Sequence, residues 1–291
     1  MPELPEVETV KIGLNRLLPG RVIRQVWDDW PKSFPNSQQD VAVFLVGAKI
    51  IAVERRAKVL LIDLSTDYTL VIHLKMTGQL VFRGEQSFGA GHPSDSLIGS
   101  LPDKSTRVVI TFKDKTKLFF NDQRKFGWMR LLPSSEVPNI DFMKRLGPEP
   151  LSAGFGAKDF RQRLERRPNS SIKAVLLDQS VIAGVGNIYA DESLWAAKIH
   201  PAAAVNKLSS VKLNRLFEAI VTVLSLSIEL GGSSDRNYVN AEGKKGSYLS
   251  FAKVFRLDGQ PCPRCGTLII KIRVAGRGTH ICPHDQRIPR S

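Results

Sequence analysis

The sequence predicts an α+β chain: an antiparallel β-sandwich first, a helical domain second, and a short cysteine-bearing tail. Three observations carry that expectation. Short β-type runs fill the first part: VIRQVWDDW, KIIAVERRA, VLLIDL, TLVIHL, VVITF and LFF. They are broken by turns at Pro19-Gly20 and Asp114-Lys115-Thr116, the spacing of an antiparallel sandwich or barrel. Beyond Leu132-Pro133 the period changes to three and four residues, which is that of amphipathic helices. The third observation is the tail, where Cys262, Cys265 and Cys282 lie within the last thirty residues. A chain of 291 residues also suits two domains of ~100–200 residues each.

Taken in order, MPELPEVETV opens a helix. Pro5 suits its first turn, and Glu6 and Glu8 favour the positive end of its dipole. Pro2 and Glu3 lie ahead of that helix, and helix formation leaves them unexplained. After the strands begin, the Gly-, Ser- and Pro-rich stretch between Arg83 and Asp103 reads as a mobile surface loop. LGPEPL at 146–151 reads as a linker. The helical segments follow as FGAKDFRQRLERR, SIKAVLLDQS, IYADESLWAAKI and LSSVKLNRLFEAIVTVLSLSIEL, the last capped by Gly231-Gly232. These boundaries give a β domain over 1–135, a linker over 136–155, a helical domain over 156–250 and the tail over 251–291.

Charge narrows the partner. Forty-two Lys and Arg against 28 acidic residues leave +14, an excess that favours a polyanion. A membrane surface would call for a basic amphipathic helix or a lipidation signal, and neither is present. No apolar run approaches the ~20 residues that span a bilayer, and Glu3 and Glu6 replace the basic start of a signal peptide. Nucleic acid is the expected partner and the cytoplasm the expected compartment. An odd number of cysteines at one end is not a disulfide framework. CPRC and CPHD, separated by residues 266–281, read instead as a zinc knuckle. Asp285 stands where a fourth cysteine would be, and Asp285, His284 or His280 is the candidate to complete the site, since zinc accepts carboxylate and imidazole.

Other motifs carry chemistry less specifically. In NDQRKFGW (121–128), Arg124 and Lys125 can neutralise phosphates, and Phe126 can stack on a base or wedge between bases. In VIHLKMTGQL (71–80), His73 and Met76 read as core and gap-filling residues. Lys58 heads an apolar strand. LLDQSVIAGVGNIYADESLW reads as helix, Gly-rich turn, helix, with Asn187 as the cap of the second helix and backbone N–H groups able to hold a phosphate.

Together and in this order, PELPEVET, RRAK, HLKMTG, DQRKFG, LGPEPL, GVGNIYADESLW and CPRC closely resemble the formamidopyrimidine-DNA glycosylase/endonuclease VIII family, over nearly the whole chain. The resemblance implies a β-sandwich joined to a helical domain with a helix–two-turn–helix motif and a zinc-finger hairpin, with damaged double-stranded DNA in the cleft between them. It implies a monomeric bacterial base-excision-repair enzyme, a bifunctional glycosylase and AP lyase with one structural Zn2+. Its substrates would be 8-oxoguanine and formamidopyrimidines.

The resemblance also accounts for Pro2. Once Met1 is removed, the proline nitrogen becomes the nucleophile. A terminal amine titrates near ~8 rather than ~10.4, so more of it is free base at neutral pH. Attack on the sugar C1′ gives an iminium that serves as the electron sink for β- and δ-elimination. Glu3 is then the acid/base, and Glu6 supports the terminus or lesion pocket. Lys58 grips the flanking phosphate and Arg277 the lesion phosphates. Lys173, Asn187 and His73 fall among the DNA contacts, as does Lys125. Met76, Arg124 and Phe126 fill the gap left by the flipped nucleotide. Residues 233–248 fold over the everted purine.

This sequence departs from the family at Asp285, at Lys104-Ser105-Thr106-Arg107, where Arg107 stands in for a histidine phosphate contact, and in the longer loop before it. Three other readings compete: an endonuclease VIII-like enzyme acting on oxidised pyrimidines, a non-catalytic damage-binding protein, and a zinc-ribbon RNA-binding protein.

Overall fold

The computed structural model describes residues 2–92, 94–233 and 248–288. It divides into two compact units. One runs to Lys144 and takes in the segment from Leu230, and the other comprises Arg145–Glu229 and the chain from Tyr248.

The first unit opens with helix α1 (Leu4–Leu17). Nine strands follow: β1 (Ile23–Asp28), β2 (Ile50–Arg56), β3 (Val59–Leu64), β4 (Tyr68–His73), β5 (Gly78–Arg83), β6 (Ser87–Gly91), β7 (Thr106–Phe112), β8 (Lys117–Asp122) and β9 (Trp128–Pro133). They form two antiparallel sheets, ordered β2-β3-β4-β9 and β1-β7-β8-β5-β6. The inward residues of both sheets make one core. Val53, Leu60, Ile62 and Ile72 come from the first sheet, and Leu80, Ile110, Phe112 and Phe120 from the second. Val7, Val10 and Leu14 of α1 join the same core. Gly13 lets α1 lie against β6, because a Cβ there would fall 2.3 Å from the Phe88 ring. The sandwich is therefore a β-on-β layer with α1 packed onto it, and α1 carries the chain terminus.

Two short α-helices, α2 (Gln38–Asp40) and α3 (Asp141–Lys144), also belong to this unit, with a π-helical turn over Val41–Leu45 following α2. The segment expected to be a mobile loop is not one. Phe88 and Ala90 of β6 are buried in the core. Beyond β6, Leu97 packs on Val81, Val109 and Phe119. The Gly-, Ser- and Pro-rich composition concealed a strand in which only two of five side chains are apolar.

The second unit is helical: α4 (Ala157–Glu165), α5 (Ile172–Leu177), α6 (Asn187–Ala196), α7 (Ser210–Glu229) and the short α8 (Tyr248–Phe251). A hairpin, β10 (Ile270–Val274) and β11 (Arg277–Ile281), ends it. LGPEPL packs against the α5–α6 turn. Gly147 N–H donates to Gln179 O, and Ala183 N–H donates to Pro148 O. The N-cap of α6 is Gly186, and Asn187 is its first helical residue, one position away from the expected cap. Gly231 and Gly232, just past α7, both have positive φ, as a left-handed helix stop requires.

Candidate active site, nucleic-acid interface and metal centre

Pro2 and Glu3 are buried at the head of α1. Glu6 reaches back to accept from the Glu3 N–H at 2.8 Å. It also accepts from the Ser233 N–H at 2.7 Å, so one carboxylate ties the terminus to the start of the 233–248 segment. Residues 234–247 of that segment, the lesion loop of the sequence reading, and Met1 lie outside the described residues. Lys58 sits in the turn between β2 and β3, buried rather than solvated, beside Ala57 at φ +52°.

His73, at the end of β4, is also buried. Its Nδ1 accepts from the Lys75 N–H at 3.0 Å, and its ring meets Trp128 and Phe142. Burial, then the Lys75 and Lys58 cations, push its pKa down to about 3. The imidazole is therefore neutral at every physiological pH. The ordinary value of 6.5 belongs to the unfolded chain. Below it the unfolded state binds a proton that the folded state does not, so His73 makes stability fall as pH drops through that window. Urea unfolding at pH 5 and pH 7.5 should show a smaller pH-dependent loss in His73→Phe than in the parent.

Met76, Arg124 and Phe126 come together from two turns of this unit. Arg124 lies 3.1 Å from the Met76 sulfur, and its guanidinium stands 4.9 Å from the Phe126 ring centroid. Met76 is 41% and Phe126 53% exposed, although both are large and apolar. The support beneath them is polar and buried. Asp122 accepts from Thr77 Oγ1, from the Arg124 N–H at 3.2 Å and from the Gly127 N–H at 2.6 Å. Lys125 takes φ +56° and places its ammonium 4.3 Å from the Trp30 ring centroid. A thioether, a guanidinium and a ring held at the surface in one cluster suit insertion into a base stack.

Arg107 is differently placed. At 3% exposure it spends its guanidinium on Asp29, the Asp122 carbonyl and the Lys104 carbonyl, inside the domain.

In the second unit Lys173 is fully buried. Its ammonium lies 2.5 Å from Asp191 Oδ1 and 2.7 Å from Thr279 Oγ1. Asp191 Oδ2 accepts from the His280 N–H at 2.9 Å. Lys173 thus anchors the hairpin that carries Arg277, which is exposed at the start of β11. Asn187 Nδ2 donates to Gly278 O at 3.1 Å, so Asn187 and the Arg277 turn are neighbours. Glu192 of α6 accepts from the N–H groups of Lys253, Val254 and Phe255, fixing the chain that leads to the cysteines.

Cys262, Cys265 and Cys282 sulfurs and a carboxylate oxygen of Asp285 all lie within 4.8 Å of one another. Four donors at about 2.0–2.3 Å from one zinc ion need that proximity. His280 is turned to Asp191 and Asp258, and His284 is exposed. The Cys265 and Cys282 sulfurs stand 3.4 Å apart without a disulfide. Burial, then the neighbouring Cys265 and Cys262 thiols, push the Cys282 thiol up to about 11. The donor set fits zinc.

Comparison with known proteins agrees along the whole chain. Residues 1–129 match the formamidopyrimidine-DNA glycosylase N-terminal domain, 146–238 its H2TH domain, and 259–288 the zinc finger found in FPG and IleRS. The chain belongs to the formamidopyrimidine-DNA glycosylase family. The formamidopyrimidine-DNA glycosylase of Listeria innocua is 43% identical over 288 residues, covering 99% of this chain and 100% of the relative. Among solved structures, MutM in complex with carbocyclic 8-oxo-G containing DNA superimposes with a TM-score of 0.85 at 35% identity, covering 98% of this chain and 100% of that one. The wild-type Lactococcus lactis Fpg in complex with a N7-Benzyl-Fapy-dG containing DNA gives 0.86 at 35% identity, with the same coverages.

Family membership makes this chain a DNA glycosylase of base-excision repair with a zinc-finger domain. No helix among the described residues is long and apolar enough to cross a membrane. Within the glycosylase, sequence reasoning missed Asp122, Thr77 and Lys75. Asp122 was legible in principle as an aspartate two residues ahead of a cation at a strand end, where Asx hydrogen bonding is common. Burial and the repulsion of the Arg130 cation push the Lys75 pKa down, a like-charge approach between residues distant in sequence that has no local signal.

Proposed function

We propose that this glycosylase removes oxidised purines, 8-oxoguanine and formamidopyrimidines, from duplex DNA and then cleaves the abasic site through a Schiff base on Pro2. The observation that carries the reading is the Pro2-Glu3 terminus, buried at the head of α1 and tied down by Glu6. Removal of Met1 turns the Pro2 amide nitrogen into a secondary amine. Its attack at C1′ expels the base, the amine gives up its proton, and cleavage of the C1′–O4′ bond with protonation of O4′ then leaves an iminium that has no N–H proton to lose. Glu3 opens the sugar ring and moves the protons. Lys58, Arg277, Asn187, His73 and Lys125 form the DNA-contacting set, while Lys173 and Arg107, each buried in an ion pair within its own unit, hold the elements that carry it.

The exposed Met76–Arg124–Phe126 cluster supports a base-flipping reading, since flipping costs a few kcal/mol of stacking that inserted side chains replace. The working unit is a monomer acting in the bacterial cytoplasm. We assign the β-sandwich to 1–135, the linker to 136–155, the helical domain to 156–250 and the finger to 251–291. Zinc held by Cys262, Cys265, Cys282 and Asp285 would be structural, supplying folding energy to the hairpin rather than a reacting group.

The test is borohydride trapping on a duplex carrying one 8-oxoguanine opposite cytosine. The parent chain should give a covalent adduct, and Pro2→Gly little or none. Absence of adduct from Met1-free protein that still binds the duplex would leave a damage-binding protein. Efficient trapping only on oxidised pyrimidines would move the chain to the endonuclease VIII-like reading.

A further inference from the structure

The cysteine cluster has an outer layer of side chains, Arg264 and Trp195. Arg264, the residue before Cys265, donates from Nη1 to Asp285 Oδ2 at 3.0 Å. The same nitrogen donates to Trp195 O at 3.2 Å, and the guanidinium lies 3.9 Å from the Trp195 ring centroid. The Trp195 indole N–H in turn points at Cys262 Sγ, 3.4 Å away. Two of the four candidate ligands therefore receive hydrogen bonds from one stacked Arg–Trp pair, and that pair is anchored on α6.

We propose that Arg264 is a positioning residue for the metal site, fixing Asp285 so that a carboxylate can serve where the resemblance leads one to expect a thiolate. The inference rests on the reading that Asp285 is the fourth ligand. The physical argument begins with length and freedom. An aspartate places its donor one bond further from Cβ than a cysteine does, and it has an additional torsion to hold. A carboxylate has about four acceptor sites, so one oxygen bonded to Arg264 leaves capacity for a metal. Stacking on Trp195 fixes the plane of the guanidinium, and its permanent charge offsets the excess negative charge of three thiolates and a carboxylate around a dication. Outer partners of this kind orient ligands and tune metal affinity.

The experiment uses the full-length chain and two probes, Zn2+ affinity by chelator competition and Co2+ substitution read by absorption. Arg264→Met should weaken Zn2+ binding by about 10–100-fold, and Arg264→Lys, which keeps the charge, should recover part of it. The sulfur-to-cobalt bands should be unchanged in Arg264→Met and stronger in Asp285→Cys, which adds a thiolate. In the Asp285→Cys background, Arg264→Met should no longer affect affinity, because a thiolate needs no arginine to hold it.

Tighter binding in Arg264→Met would mean that arginine competes with the metal for Asp285, overturning the proposal. Equal losses in both backgrounds would assign Arg264 to packing on Trp195 alone and overturn it too. If Asp285→Asn weakens binding and Arg264→Met does not, the ligand reading stands and the arginine role falls. If Asp285→Asn changes nothing, the ligand reading itself fails.

Discussion

Glu3→Gln is expected to lower base excision by about 10²–10⁴-fold, the contribution typical of a positioned acid/base, while leaving duplex affinity nearly intact. The substitution keeps volume and shape, so the packed start of α1 survives. Glu6 accepts from the backbone N–H of residue 3, and that bond does not depend on the side chain. What changes is the ability to give and take a proton. Glu3 is 3% exposed, so bulk water has little access to replace it. Single-turnover excision of 8-oxoguanine opposite cytosine, beside fluorescence anisotropy on the same duplex, separates the two quantities. Equal losses in rate and affinity would make Glu3 a structural residue and return the proton chemistry to another group.

Asp191→Ala should be the most damaging substitution for stability, at about 3–5 kcal/mol, the cost of leaving a buried charge without its partner. Lys173 and Asp191 are both fully buried and 2.5 Å apart. Removing the carboxylate would strand the ammonium and take the acceptor from the His280 N–H. Because that N–H belongs to β11, the hairpin carrying Arg277 should loosen in the same step. Urea unfolding measures the loss. The double variant Asp191→Leu with Lys173→Met is the informative control, since an apolar pair of similar volume often replaces a buried ion pair with little penalty. Recovery in the double variant would locate the cost in the unpaired charge. No recovery would locate it in the His280 and Thr279 hydrogen bonds.

Residues neighbouring in sequence and residues neighbouring in space were legible to different degrees. Strands β1, β2, β3, β4, β7 and β8 showed in their apolar runs because each presents alternate side chains to one core. The helices showed in their period. Strand β6 was hidden, since Phe88 and Ala90 carry its burial among glycines and a serine. Arg107 read as a stand-in for a histidine phosphate contact, and only the pairing of β1 with β7 brings Asp29 to it.

By itself the sequence determined the order of a β domain and a helical domain, the polyanionic partner, the cysteine cluster and the Pro2-Glu3 terminus. Each of these follows from local pattern or from side-chain chemistry. The tertiary structure decided the rest: that Met76 meets Arg124 and Phe126 across 48 positions of chain, that Glu6 ties the terminus to Ser233, that Lys173 is buried, and that Asp285 rather than either histidine shares the space of the three thiols. The physical reason is one of range. Strand period, helix period and capping act over a few residues, whereas burial, ion pairing and ligand convergence depend on which distant segments the packed core brings together.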